Sequence, residues 1–163
     1  MIVFRPRAHF VFSHPAHFIA TGFGAGLARV APGTCGTLLA IPIWWLIGGF
    51  YAPWATFALI AACFAIGVWA CELTGDHLGI PDHGAMVWDE TVAFLLLLAI
   101  LPATFGWQAA AFVLFRVFDV LKPPPIRYFE RRYKGGFGVM FDDVVAAGYT
   151  VLTLALFKRA FLQ

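Results

Sequence analysis

Five apolar runs, at about 38 to 50, 54 to 71, 91 to 105, 107 to 121 and 144 to 157, dominate the chain, and what separates them decides how it can fold. Between the first two lies Ile47-Gly-Gly-Phe-Tyr-Ala-Pro-Trp54, and between the third and fourth lies Leu101-Pro-Ala-Thr-Phe-Gly-Trp107. Both segments are uncharged and carry Gly and Pro breakers, so they predict tight hairpin tips. Their Trp and Tyr rings suit a headgroup boundary. The runs show no period-two alternation, which predicts helices and not strands. Most are shorter than the ~20 residues of a comfortable bilayer span.

Composition agrees with a lipid solvent. The chain has 163 residues, 61% of them hydrophobic and 12% charged, with a mean hydropathy of +0.82. Soluble domains are about 45–50% apolar and about 25% charged. The expectation is an all-α integral membrane bundle of about four to five short helices, one domain over residues 1–163, with its polar loops gathered on one face. A formal charge of +2 gives no nucleic-acid signature. The three cysteines, Cys35, Cys63 and Cys71, form no CxxC or zinc-ligand spacing. Ser13, His14 and Pro15 interrupt the start of the chain, against a cleaved signal peptide. The Gly- and Phe-rich stretch from His9 to Leu27 is consistent with an interfacial or half-buried helix.

If each run crosses or nearly crosses the bilayer, three polar segments fall on one face: Gly33-Thr-Cys-Gly-Thr37, Glu72 to Glu90, and Asp119 to Asp143. Arg29, Lys122, Arg127, Arg131, Arg132 and Lys134 lie on that face, and the tips carry no base. The positive-inside tendency makes it cytoplasmic. Lys158 and Arg159 then sit on the far side, unless the fifth run is re-entrant or stops short.

All nine acids fall between Glu72 and Asp143. Asp89 and Glu90 precede the third run, Asp142 and Asp143 precede the fifth, and Asp119 lies inside the end of the fourth. Ionised carboxylates at membrane depth are costly unless paired or bound to a cation. Oxygen ligands without cysteine favour Mg²⁺ or Mn²⁺, which take carboxylates together with substrate phosphate oxygens. An acidic pair can equally serve a helix N-terminus, but two pairs facing one another favour the metal. Arg116, Lys122 and Arg127 bracket a Pro triplet and are the candidate phosphate clamp. Headgroup anchoring is the reading for Arg131, Arg132 and Lys134.

Gly33-Thr-Cys-Gly-Thr37 and Gly135-Gly-Phe-Gly138 are glycine-rich stretches expected before helices, where backbone N–H groups cradle phosphate. Thr34 and Thr37 are placed in the pocket, and His83 is placed to orient water or touch phosphate. His9, His14, His17 and His77 are expected to be interfacial. No GxxxxGK[ST] is present, the only serine is Ser13, and Cys35 lacks a following Arg cradle. Metal-assisted hydrolysis or transfer at a phosphate is the reaction class that remains.

Four motifs in order, Pro32-Gly-Thr-Cys-Gly-Thr37, Asp82-His-Gly-Ala-Met-Val-Trp-Asp-Glu90, Phe115-Arg-Val-Phe-Asp-Val-Leu-Lys-Pro-Pro-Pro-Ile-Arg127 and Gly135-Gly-Phe-Gly-Val-Met-Phe-Asp-Asp143, resemble the phosphatidylglycerophosphatase A family over about residues 20 to 150. The resemblance implies a Mg²⁺-dependent phosphatase of the bacterial inner membrane. Its substrate would be the lipid phosphatidylglycerophosphate and its products phosphatidylglycerol and inorganic phosphate. On that basis Asp89, Glu90, Asp142 and Asp143 are expected to hold the metal, joined in catalysis by Asp119. A Mg²⁺-dependent phosphatidyltransferase or polyprenyl-phosphate phosphatase is the alternative enzyme, and a cation or proton transporter the alternative outside enzymes.

Overall fold

The computed structural model describes residues 6–48 and 52–161, with the side chains of residues 130 and 131 outside the description. The centre of the first hairpin tip, 49–51, and the side chain of Arg131 therefore lie outside the described residues. The described residues are helical, with no strand among them. In chain order the helices are α1 (Ala8–Ser13), α2 (Pro15–Ala20), α3 (Pro32–Ile47), α4 (Pro53–Leu78), α5 (Trp88–Ile100), α6 (Phe105–Leu121), α7 (Ile126–Arg132) and α8 (Gly135–Phe161), with a single 3₁₀ turn at Ala25–Leu27. Proline at the first position starts α2, α3 and α4, where its missing N–H costs nothing.

Helix α5 is the axis of the molecule. It is buried almost end to end, from Trp88 to Leu98, and α3, α4 and α8 pack around it while α6 leans on α8. The side chains that would face water in a soluble bundle are apolar here: Trp45, Trp54, Phe105, Val120 and Phe161 are each more than two-thirds exposed. Two helices, Pro53–Leu78 and Gly135–Phe161, are long and apolar enough to cross a membrane, and Pro32–Ile47 is a shorter apolar helix.

The fifth run corrects two expectations. Helix α8 begins at Gly135, not near residue 144, and continues unbroken for 27 residues, about 40 Å at 1.5 Å per residue. It is continuous and long and apolar enough to cross a membrane, and Lys158 and Arg159 lie in its last turn. The Gly135-Gly-Phe-Gly138 stretch is therefore the first turn of α8 itself. The Glu72 carboxylate of α4 accepts the Gly136 N–H there, supplying the anion that a helix N-terminus favours. Gly135 has φ +70°, which admits glycine without strain. A side chain at Gly136 would collide with the Val68 carbonyl of α4, so the small residues serve the close α4–α8 crossing.

The N-terminal stretch forms α1 and α2, and α2 docks on α4. His17, expected at an interface, is buried. Its Nδ1 lies 3.0 Å from the Thr74 hydroxyl, and its Nε2 lies 3.0 Å from His77 Nδ1. Burial lowers the His17 pKa from 6.5, and the nearby His77 and His14 lower it further. Folding thus favours the neutral ring. That contribution to stability is present above the ordinary histidine pKa of about 6.5 and is lost as pH falls through the lowered folded value. Amide exchange over residues 8–27, corrected for intrinsic rates, is expected to rise as pH drops from about 7 to about 5, with α5 unaffected. An unchanged pattern would contradict this docking.

Candidate active site

Three helices bring their site residues to one end of α5. Asp89 and Glu90 occupy the first turn of α5, where carboxylates are favoured by the free backbone N–H groups. Asp143 comes from the third turn of α8, and Arg116 and Asp119 from the last turns of α6. Asp89, Glu90 and Asp143 each offer a carboxylate oxygen within 4.8 Å of the others. Asp89 Oδ1, Glu90 Oε2 and Asp143 Oδ2 are buried and have no hydrogen-bond partner. Buried polar atoms are nearly always satisfied, and three orphaned carboxylate oxygens on neighbouring side chains form a donor set that a cation would satisfy. An all-oxygen, all-carboxylate donor set fits a hard divalent ion such as Mg²⁺.

The fourth expected ligand is elsewhere. Asp142 Oδ2 takes a 2.6 Å ion pair from Lys122 Nζ instead of joining the three carboxylates. Successive residues on a helix point about 100° apart, so Asp142 and Asp143 divide between the base and the acid cluster. Lys122 ends α6 in the left-handed region, at φ +42°, a conformation uncommon for a side-chain-bearing residue and one that turns the chain at Lys122.

The other base held at the cluster is Arg116. Its Nη1 lies 2.8 Å from Asp119 Oδ2, one turn on, and 3.6 Å from Glu90 Oε1. It also donates to the Thr37 hydroxyl at 3.4 Å, while Thr37 donates to the Gly33 carbonyl at 3.0 Å. Asp119 thus orients a guanidinium that already faces Glu90. The glycine at 33 makes room for this meeting: a Cβ there would collide with Glu90 Oε1 and stand 2.9 Å from Arg116 Nη2. Both obstacles are side-chain ends, so Gly33→Ala is expected to leave the protein folded but lower kcat by about tenfold to a hundredfold through displaced site groups. Phosphate release and a melting curve, measured together, check it.

The remaining candidates lie further out. Gly33-Thr-Cys-Gly-Thr37 forms the first turns of α3 and not a loop before it, which places Thr34 in the helix and Thr37 beneath Arg116. His83 is buried, and its Nδ1 accepts the Ala85 N–H at 3.1 Å, shaping the turn that leads into α5. It lines a cleft of about 240 Å³ with Gly26, Pro32 and Gly84. Arg127 is exposed and donates to the Leu121 carbonyl at 3.2 Å, bracing the proline turn apart from the carboxylates. Sequence reasoning missed Glu72, whose part in seating α8 depends on a contact 64 residues away. It also missed the Thr91 hydroxyl, which donates to the Gly36 carbonyl at 2.8 Å and fastens α5 to α3 below the site. Alternating helices and a position within α5 give no sequence signal for either pairing.

A helical protein whose buried carboxylates are crowded beside two oriented bases is built as an enzyme acting on phosphate. The chain belongs to the phosphatidylglycerophosphatase A family, whose profile matches residues 18–158. It is 43% identical to phosphatidylglycerophosphatase A of Escherichia coli K12 over 142 residues, covering 86% of this chain and 81% of the relative. It is 42% identical to phosphatidylglycerophosphatase A of Haemophilus influenzae, covering 86% and 87%. A relative from Bacteroides thetaiotaomicron, 39% identical over 85% of this chain and 90% of its own length, is named, as a provisional assignment, a phosphatidylinositol-3-phosphatase. No solved structure gives a significant match.

Proposed function

We propose that the chain hydrolyses the terminal phosphomonoester of phosphatidylglycerophosphate to phosphatidylglycerol and inorganic phosphate, with Mg²⁺, at the cytoplasmic face of a bacterial inner membrane. The observation that carries the chemistry is the trio of orphaned carboxylate oxygens on Asp89, Glu90 and Asp143, beside Arg116 and Lys122. The family and its phosphatidylglycerophosphatase relatives support the substrate. Two apolar helices and the lipid-like outer surface support a membrane setting, with α3 as a shorter apolar companion. The basic residues at the site end support its cytoplasmic orientation.

When bound by Asp89, Glu90 and Asp143, a hard divalent ion supplies Lewis-acid stabilisation of phosphate oxygens and a more acidic water. Arg116 presents a planar fork to the phosphate, held in aim by Asp119 and Thr37. Lys122 offers a point charge and exchanges part of its pairing with Asp142 for a phosphate oxygen. Water attacks phosphorus, the bond from phosphorus to the glycerol oxygen breaks, and one of the water's protons ends on that oxygen, giving the free hydroxyl and inorganic phosphate. The buried carboxylates and Arg116 are held in place by the helices before the reaction, which lowers the reorganisation the transition state demands.

The test is phosphate release by purified protein in mixed micelles, with Mg²⁺ and with chelator, from phosphatidylglycerophosphate, phosphatidic acid and phosphatidylinositol 3-phosphate. Mg²⁺-dependent release favouring phosphatidylglycerophosphate is expected. Preference for the inositol lipid would move this chain to the activity in the Bacteroides relative's name, and release untouched by chelator would remove the metal.

A further inference from the structure

An apolar groove of about 370 Å³ runs between α3 and α6 over the face of α5. Both helices pack on α5 but scarcely on each other, which leaves the groove open along one side. On each of its three walls the groove continues, at helical spacing, from a residue of the site. On α3, Thr37 is followed by Ile41 and Trp45. On α5, Glu90 is followed by Phe94 and Leu98. On α6, which runs the other way, Arg116 is preceded by Phe112 and, one turn further, by Ala109. Residues spaced by three or four lie on one face of a helix, so the acidic and basic end of the site and the floor of the groove are one surface.

From this continuity we infer that the groove holds one acyl chain of the lipid substrate while its phosphate lies against Arg116 and the carboxylates. The inference rests on the proposed reaction and adds a binding site for the substrate's apolar part. A phosphate bonded at Arg116 fixes the headgroup, and the acyl chain, joined to that phosphate through two glycerols and a phosphodiester, then runs toward the tip end, where the walls are apolar. Two other apolar grooves lack this continuity on all their walls. One, between α6 and α8, extends from Leu114 to the far tip at Thr104 and Phe157, and neither Leu114 nor Leu154 lies one turn from a site residue. The other, among α4, α5 and α8, continues from a site residue on α5 alone, where Val92 and Leu96 follow Asp89.

Ala109 lies seven residues below Arg116, about 10 Å along the helix, the level at which the acyl chain begins, since a glycerol, a phosphodiester and a second glycerol separate it from the terminal phosphate. Ala109→Trp fills the groove at that level. With the full-length chain in mixed micelles, this variant is expected to raise KM for dioleoyl phosphatidylglycerophosphate by about tenfold and to change KM for the deacylated headgroup, glycerophosphoglycerophosphate, by less than about twofold. A phosphatidylglycerophosphate carrying a diazirine near the carboxyl end of one chain is expected to label residues 38–45 and 105–113 of the wild-type chain, and Ala109→Trp should reduce that labelling. An equal loss for both substrates, no loss for the dioleoyl lipid, or labelling spread evenly over the apolar surface would overturn the groove. A wild-type protein inactive on both substrates overturns the proposed reaction instead, and the labelling pattern then decides the groove alone.

Discussion

Asp143→Asn is expected to abolish phosphate release, by about a thousandfold or more, because one cation ligand is worth several kcal/mol of charge stabilisation and each 1.36 kcal/mol is tenfold in rate. Asp143 supplies one of the three orphaned oxygens, and the amide that replaces it keeps the volume while losing the charge. The same substitution should leave the chelated protein no less stable than wild type. Three carboxylates crowded within 4.8 Å repel one another when no cation is present, so neutralising one relieves strain. Activity lost together with a lower melting temperature in chelator would assign Asp143 to the fold and not to the site.

The Lys122–Asp142 pair gives the second large effect. Lys122→Met removes the charge proposed to bind phosphate and leaves Asp142, whose side chain is only 6% exposed, without its 2.6 Å partner. Removing one member of a buried pair costs about 3 kcal/mol, and KM for the lipid should rise about tenfold or more as a charge-assisted contact to phosphate disappears. Lys122→Met combined with Asp142→Asn should recover most of the stability and none of the activity. If the double variant also recovers activity, Lys122 serves only to neutralise Asp142.

Particular residues explain how far the sequence could be read. The apolar runs, the two uncharged tips and the gathered acids place α3 to α6 and bring Asp89, Glu90 and Arg116 to one end, because alternation along the chain is enough to do so. The start of α8 was not legible. Gly135 to Gly138 has poor helix propensity, and what makes it helical is the Glu72 carboxylate arriving from α4. Burial of His17 was hidden for the same reason, since its partners Thr74 and His77 lie 57 and 60 residues on. The division of Asp142 from Asp143 follows from helical geometry once α8 is known to include both; read as residues before a helix, they carried no such constraint. The lipid itself was never in the spacing of the residues. It entered through the resemblance of four ordered motifs, and the family match over residues 18–158 agrees with it.

The central claim is that Asp89, Glu90 and Asp143 together hold a divalent cation. Mn²⁺ serves as a paramagnetic stand-in for Mg²⁺, and the most direct measurement is an electron paramagnetic resonance titration of the purified chain with it, beside Asp143→Asn and Asp142→Asn. The account predicts saturable binding to the wild-type chain that Mg²⁺ competes away, that Asp143→Asn loses, and that Asp142→Asn largely keeps. Binding that survives Asp143→Asn, or that fails in Asp142→Asn alone, would contradict it.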